Sequence, residues 1–275
     1  MALVERIQAA VARTELLPFK VEIATEAQLD GVIQLRAASY GKHLPELGAK
    51  LREPEAADFA YGCEVFVATS KLDGSVLGTL RTHSNVMEPL PLQRSLNLPG
   101  SYAGKRMVES TRLCVKGNTG SSIVRAALFK AFYSYCMAQG VDQMMATGRR
   151  PLDRMYDGLM FTDVGETGQF YPMAFTGGVP HRVMSLAPEL VRTLWTGANH
   201  SLTGFFFETH HPDIDLSGAT SLLAVGWSCP VAQASLDAQA PAIVRGGPAI
   251  QPILVREQMF MRTTNSQELH GQLSS

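Results

Sequence analysis

Apolar and polar residues alternate at Phe19, Val21 and Ile23, the period of a β-strand with one covered face. Thr25 then stands where a helix needs a cap, ahead of Leu29, Val32, Ile33 and Leu35. Glu26 and Asp30 add negative charge to the early turns, so a helix follows the strand. Upstream, Leu3, Val4, Ile7, Val11 and Leu17 recur at helical spacing and Pro18 closes the run, which predicts an amphipathic N-terminal helix over residues 1–18. Residues 40–60 mix charge, Gly and Pro without a period and read as a helix-rich, mobile connector.

From Glu64 the texture changes. EVFVATS and VLGTLRTH are β-rich runs joined by KLDGS, whose Asp73 and Gly74 favour a tight turn, so a hairpin is expected. A Pro- and Leu-rich loop over 87–104 leads to a third run, MVESTRLCV. After the turn KGNTGSS, Ile123, Val124, Ala127, Leu128, Ala131, Phe132 and Tyr135 recur at three- and four-residue spacing as far as Gly140, the mark of a long helix with one apolar stripe. VDQMMAT is the next strand, RPLDRMYDGLM a short helix, and FTDVGE and HRVMSLA two further strands. The succession predicts an α/β domain over residues 19–200, a mixed central sheet flanked by helices. Residues 201–275 form a C-terminal extension with only Asp237 and Arg245 charged between Ser217 and Val255, expected to be a covering arm or an oligomer contact.

At 275 residues and 45% hydrophobic content the chain can bury a sizeable core, which excludes disorder as the dominant state. Twenty-four Lys and Arg against 25 Asp and Glu leave a net charge of −1. No overall field then draws nucleic acid or an anionic membrane, and any basic partner surface must be local. Cys63, Cys114, Cys136 and Cys229 are scattered without a close pair, which suits neither a disulfide framework nor a zinc site. Glu5 and Arg6 interrupt the N-terminal apolar residues, and patches such as Phe205 to Phe207 are too short to span a bilayer. A cytoplasmic protein without a membrane segment is expected.

Candidate chemistry centres on Val108-Glu-Ser-Thr-Arg-Leu-Cys-Val115. In a regular strand Glu109 and Thr111 share one face, Ser110 and Arg112 the other. Ionised residues in an apolar strand need a partner or a task. Either they form a salt bridge bracing the sheet, or Glu109 is a general base, raised in pKa by burial, that takes a proton from an incoming ammonium. KGNTGSS has the composition of a phosphate cradle at a helix N-terminus, or of a plain turn capped by Ser121 or Ser122. It is neither a Walker loop nor a Rossmann fingerprint. His210, His211, Asp213 and Asp215 resemble metal ligands by composition, but a turn at Pro212 explains them better. Cys114 could be a nucleophile but reads better as a small buried hydrophobe, and His83 reads as a pocket-lining or surface histidine. Met144, Met145, Met155, Met160 and Phe161 read as core or as the wall of an acyl-chain tunnel.

Strand, helix, hairpin, then V-E-S-T-R-L-C-V, a Gly-containing turn and a long helix resemble the GNAT-type acyltransferase fold over residues 19–200. E-S-T-R is similar to the E-S-x-R strand of N-acyl amino acid synthases and acyl-homoserine-lactone synthases. VLGTLR, ending in Arg81, matches a Gly-containing strand of the same families. The resemblance implies an N-acyltransferase that takes a fatty acyl group from an acyl-carrier-protein thioester, a substrate rather than a cofactor, and passes it to an amine. The phosphopantetheine arm would enter a V-shaped gap between MVESTRLCV and VDQMMAT, along Leu113, Val115, Lys116, Gly117, Asn118, Thr119, Gly120 and Ser121. Glu109 would be the base, and Arg81 and Arg112 would bind the acceptor carboxylate or brace Glu109. The turn departs from the Arg/Gln-x-x-Gly-x-Gly/Ala pattern of acetyl-CoA users, which favours a carrier-protein donor. The only tryptophans are Trp195 and Trp227, so the N-terminal Trp-bearing block of homoserine-lactone synthases is missing and a free amino acid is the expected acceptor. Lys116, Arg125, Arg149, Arg150 and Arg154 would gather as the basic patch that meets an acidic carrier protein. An acetyl-CoA-dependent acetyltransferase and a non-catalytic acyl-binding module are the rival readings.

Overall fold

Alternation becomes β2, Phe19–Ile23, with Phe19 and Val21 buried, following a two-residue strand β1, Arg13–Thr14. The computed structural model of the chain describes residues 13–117 and 120–223. Within that range the predicted N-terminal helix is not seen at its end: Arg13–Thr14 pairs as a strand, and residues 1–12 lie outside the described residues. Thr25 caps α1, Glu26–Gly41, and Gln28 Oε1 accepts the Thr25 N–H at 2.8 Å. The connector holds α2, Pro45–Lys50, and a 3₁₀ turn at Ala56–Asp58.

The hairpin is β3, Cys63–Ser70, and β4, Val76–Ser84. Next come β5, Met107–Val115, α3, Ser121–Ala138, and β6, Gln143–Gly148. Then follow α4, Asp153–Gly158, β7, Thr162–Asp163, β8, Tyr171–Met173, and β9, Val179–Leu186. FTDVGE thus contributes only two paired residues. An unpredicted helix α5, Pro188–Gly197, starts on Pro188 and buries Val191 and Trp195 at four-residue spacing.

The main sheet runs β2-β3-β4-β5-β6-β9-β7, with β8 added to β9. Among the described strands of this sheet only β5 and β6, which α3 connects, are parallel. One face, carrying Phe66, Leu80, Val108, Met144 and Ala146, packs on Leu128 and Phe132 of α3, Tyr156 of α4 and Trp195 of α5. Gly78 lets α3 lie this close, because a Cβ there would come within 2.9 Å of Val124 Cγ1. The opposite face meets Val32 of α1 at Val65 and Val67, and meets the 85–106 loop through Leu90 and Leu92 at Met107 and Met145.

All described residues belong to the first of two compact units, Met1–Ala232; the second is Gln233–Ser275. From Ser201 the chain makes a π-helical turn, Gly204–Glu208, and pairs β10, Thr209–His210, in parallel with β1. Lys130 of α3 holds this stretch by donating to Phe205 O at 2.8 Å, Thr209 O at 2.6 Å and His211 Nδ1 at 2.9 Å. Residues 224–275, with Trp227 and Cys229, lie outside the described residues. No described helix is long and apolar enough to cross a membrane.

Candidate active site

β5 and β6 pair from Met107↔Gln143 to Ser110↔Ala146, and there the ladder stops, although β5 runs on to Val115 and β6 to Gly148. On their other sides both strands stay paired, β5 to β4 through Gly78↔Val115 and β6 to β9 through Gly148↔Arg182. The sheet therefore opens as a wedge between two held strands. Backbone groups of β5 beyond Ser110 that would have continued the ladder face this wedge, and such groups seek a partner.

Glu109 stands one pair before the parting, opposite His83 on β4 and Met145 on β6. It is fully buried, and its Oε2 accepts the Leu92 N–H at 3.0 Å. Burial pushes its carboxyl up to about 8, against the pull of the Leu92 N–H, the Thr147 side chain and the Arg81 and Arg112 charges. Oε1 makes no hydrogen bond among the described residues.

Arg112 does not follow the alternation expected of it. Its φ is 53°, and the β4–β5 register shifts between Thr79 and Arg81, so a bulge turns two successive side chains to one side. Instead of sharing a face with Ser110, Arg112 joins Arg81 on Glu55 of the connector. Arg112 donates from Nε to Oε2 at 2.7 Å and from Nη2 to Oε1 at 2.6 Å, while Arg81 Nη1 donates to Glu55 Oε2 at 3.0 Å and to Asp58 Oδ1 at 2.9 Å. Arg36 Nη1 donates to the same Asp58 oxygen at 2.7 Å. Burial alone would raise the Glu55 carboxyl; the Arg112 hydrogen bonds and the Arg81 charge instead draw it down to about 2.

Neither arginine hydrogen-bonds to Glu109, and both face internal carboxylates. His83 lies beside them. Burial and the two guanidinium charges hold it down to about 3. Its Nε2 accepts from Arg81 Nε at 3.1 Å, which leaves the ring proton on Nδ1, directed at Cys63 Sγ 3.3 Å away. Cys114 is buried, and burial lifts its thiol to about 11.

At the wide end of the wedge, Leu113 and Val115 are half-buried against the α3 side of the core. Lys116 and Gly117 are exposed, and Ser121 opens α3. The cap of α3 is Gly120 at φ 98°, not Ser121 or Ser122, and it makes no side-chain cap bond. Among the described residues nothing lies within 4 Å of where a Cβ on Gly117 or Gly120 would stand. Asn118 and Thr119 lie outside the described residues.

The methionine run divides between faces: Met144 packs with the α3 core and Met145 with the 85–106 loop. Among the described residues no group of three His, Cys, Asp or Glu is arranged to hold a metal ion. Asp213 instead accepts the Leu17 N–H at 2.8 Å and pairs with Lys71 at 2.6 Å. Sequence reading missed Glu55, Asp58, Arg36 and Tyr156. Arg36 had a signal, since it follows Val32 and Ile33 at four- and three-residue spacing on the buried stripe of α1. Tyr156 lies beside Ser110 on the face opposite Glu109, and burial pushes its hydroxyl up to about 12.

A family model described as N-acyl amino acid synthase FeeM matches residues 32–183, more than half of the chain. Among solved structures, FeeM, an N-acyl amino acid synthase from uncultured soil microbes, is similar at 17% identity and a TM-score of 0.50, over 68% of this chain and 97% of that one. BjaI, a CoA-dependent acyl-homoserine lactone synthase solved with SAM and isopentyl-CoA, is similar at 14% identity and a TM-score of 0.51, over 76% of this chain and 99% of that one. No curated protein sequence matches. At these identities the structural likeness speaks to the fold, which is the GNAT-like acyltransferase arrangement.

Proposed function

This chain belongs to the FeeM N-acyl amino acid synthase family, and we propose that it moves a long-chain fatty acyl group from an acyl-carrier-protein thioester to the amine of an amino acid. Membership makes it an N-acyltransferase that acts on an amino acid. The observation that carries the finer reading is the parting of β5 and β6 immediately beyond Glu109.

In this reading the phosphopantetheine arm lies in the wedge along Leu113 and Val115, with its phosphate near Lys116, Gly117, Gly120 and Ser121. Asn118 and Thr119 belong to the same cradle by sequence. The acceptor reaches the thioester as an ammonium and must lose a proton to attack. Glu109, directly or through a water, takes that proton; a carboxyl near 8 is a better match to an amine than one near 4. The amine nitrogen bonds to the thioester carbon, backbone N–H groups of β5 beyond Ser110 steady the oxyanion, and the C–S bond then breaks. The nitrogen must lose its second proton as the departing sulfur gains one: the Tyr156 hydroxyl, which stays protonated at neutral pH, gives its proton to the sulfur and recovers one from the nitrogen. No step calls for a further cofactor. Arg81 and Arg112 act as positioning residues, tying β4 and β5 to the connector through Glu55 and Asp58.

Lys116, Arg125, Arg149, Arg150 and Arg154 form the local basic surface for an acidic carrier protein; Arg150 and Arg154 are exposed. BjaI is a CoA-dependent synthase, which supports a second donor reading, acyl-CoA, on the same fold. The test supplies matched acyl-carrier-protein and acyl-CoA thioesters of several chain lengths with a mixture of amino acids, and identifies products by mass spectrometry. Faster N-acylation from long-chain acyl-carrier-protein supports the proposal. Faster turnover of acetyl-CoA would replace it.

A further inference from the structure

The Nε and Nη2 atoms of an arginine form a planar fork that takes both oxygens of a carboxylate. Among the described residues three arginines fill that fork: Arg112 with Glu55, Arg106 with Asp142 and Arg182 with Asp163. Arg36 does not. Its Nη1 is spent on Asp58, while Nε and Nη2 are buried and have no partner among the described residues, on a side chain only 1% exposed.

The charges around it do not balance. Arg36, Arg81 and Arg112 face Glu55 and Asp58, three positive groups against two negative. Their titratable neighbours do not supply the missing charge at pH 7. Burial keeps Cys63 and Cys114 as thiols at about 11 and raises the Tyr40 hydroxyl. His83 is neutral, and Glu109, at about 8, is mostly protonated. One planar monoanion would fill the fork and cancel the surplus together. A neighbouring cavity of about 330 Å³ reaches Asp58, the partner of Arg36; Glu26, Leu29, Phe59, Cys63 and Glu64 also line it, and Arg36 itself does not.

We infer that the Nε/Nη2 edge of Arg36 binds a small organic carboxylate, that of the amino-acid acceptor or of the N-acyl amino acid product. This rests on the acyl-transfer reading for the identity of the ligand, and on the fork and the charge count for the site. A phosphate would bring a second charge that the surplus does not match.

The experiment measures binding by calorimetry to the donor-free protein and to Arg36→Lys, which keeps the charge and loses the fork. The probes are an amino acid the enzyme accepts, its carboxamide, and the N-acyl amino acid. The parent is expected to bind a carboxylate probe at least tenfold more tightly than the carboxamide, and Arg36→Lys to lose most of that preference. Preference confined to the free amino acid marks an acceptor site, and preference confined to the acylated compound marks a product site. Equal binding of acid and amide by the parent would overturn the inference; this comparison needs no variant, so it stands even if Arg36→Lys fails to fold. A folded Arg36→Lys that discriminates as the parent does would also overturn it. Thiol release measured in parallel reports on acyl transfer itself. Its absence with every amine would sink the acyl-transfer reading, whatever the binding data show.

Discussion

Arg112 and Glu55 are joined by two charged hydrogen bonds of 2.7 and 2.6 Å, which fasten the bulge of β5 to the connector between α2 and β3. Arg112 is 6% exposed and Glu55 28%, so the pair is largely out of water. Removing one partner of such a pair leaves the other charge uncompensated, at a cost of about 3 kcal/mol. Arg112→Ala should therefore lower the urea midpoint and the turnover together. An unchanged midpoint with lost turnover would show that Arg112 acts on substrate instead.

The same pair sets a pH dependence. Glu55 has a folded pKa of about 2, below its unfolded value near 4.5, so its contribution is present above 4.5 and is lost as pH falls toward 2. The stability gap between the parent and Glu55→Gln should be full at pH 6 and shrink through pH 4 to pH 2. A gap independent of pH would mean that the charge of Glu55 is not what matters.

How much of this was legible beforehand depends on the kind of signal. Alternation at Phe19, Val21 and Ile23, and the stripe from Ile123 to Tyr135, reflect burial on one face, which side-chain type reports directly. Glu109 stood out because a carboxylate is expensive in an apolar strand. The turn of Arg112 was invisible, because a bulge is a backbone event and leaves the residue pattern unchanged. Glu55 and Asp58 sit in a segment with no period, and only the fold brings them to Arg81 and Arg112. For α5 the signal was present in Pro188, Val191 and Trp195, and half-exposed Leu190 and Leu194 blurred it by adding apolar residues off the buried side.

Donor length gives an independent test. An apolar hollow lined by Phe129, Phe132, Met144, Leu159, Phe161 and Trp195 lies on the Tyr156 side of the sheet, and Tyr156 touches Phe129 and Phe161 edge to face. The hollow holds only about 20 Å³, so a chain must part these side chains to enter; on the proposed long-chain reading each methylene it then buries contributes about 0.8 kcal/mol, and long-chain thioesters should outperform acetyl in kcat/KM. Equal kcat/KM across chain lengths would rule out an acyl-binding role for this region.

Charge reversal tests the proposed carrier-protein surface. Arg149→Glu with Arg150→Glu should raise KM for an acyl-carrier-protein and weaken its salt dependence, while activity on a minimal acyl-pantetheine thioester stays near that of the parent. Equal damage to both donors would remove these residues from docking.

Glu109 at the parting of β5 and β6 is the centre of the account, and its rate of acyl transfer against pH is the most direct measurement. Single-turnover transfer to a saturating amino acid should rise with pH through about 8 in the parent, as the buried carboxyl ionises. Glu109→Gln should remain folded, transfer at least 10²-fold more slowly, and lose that limb of the profile. Its stability should also lack the decline between pH 4.5 and about 8 that Glu109 gives the parent, because a carboxyl raised above its unfolded pKa favours the fold only while protonated. A folded Glu109→Gln protein that transfers nearly as fast as the parent, with the same pH profile, would contradict the central claim.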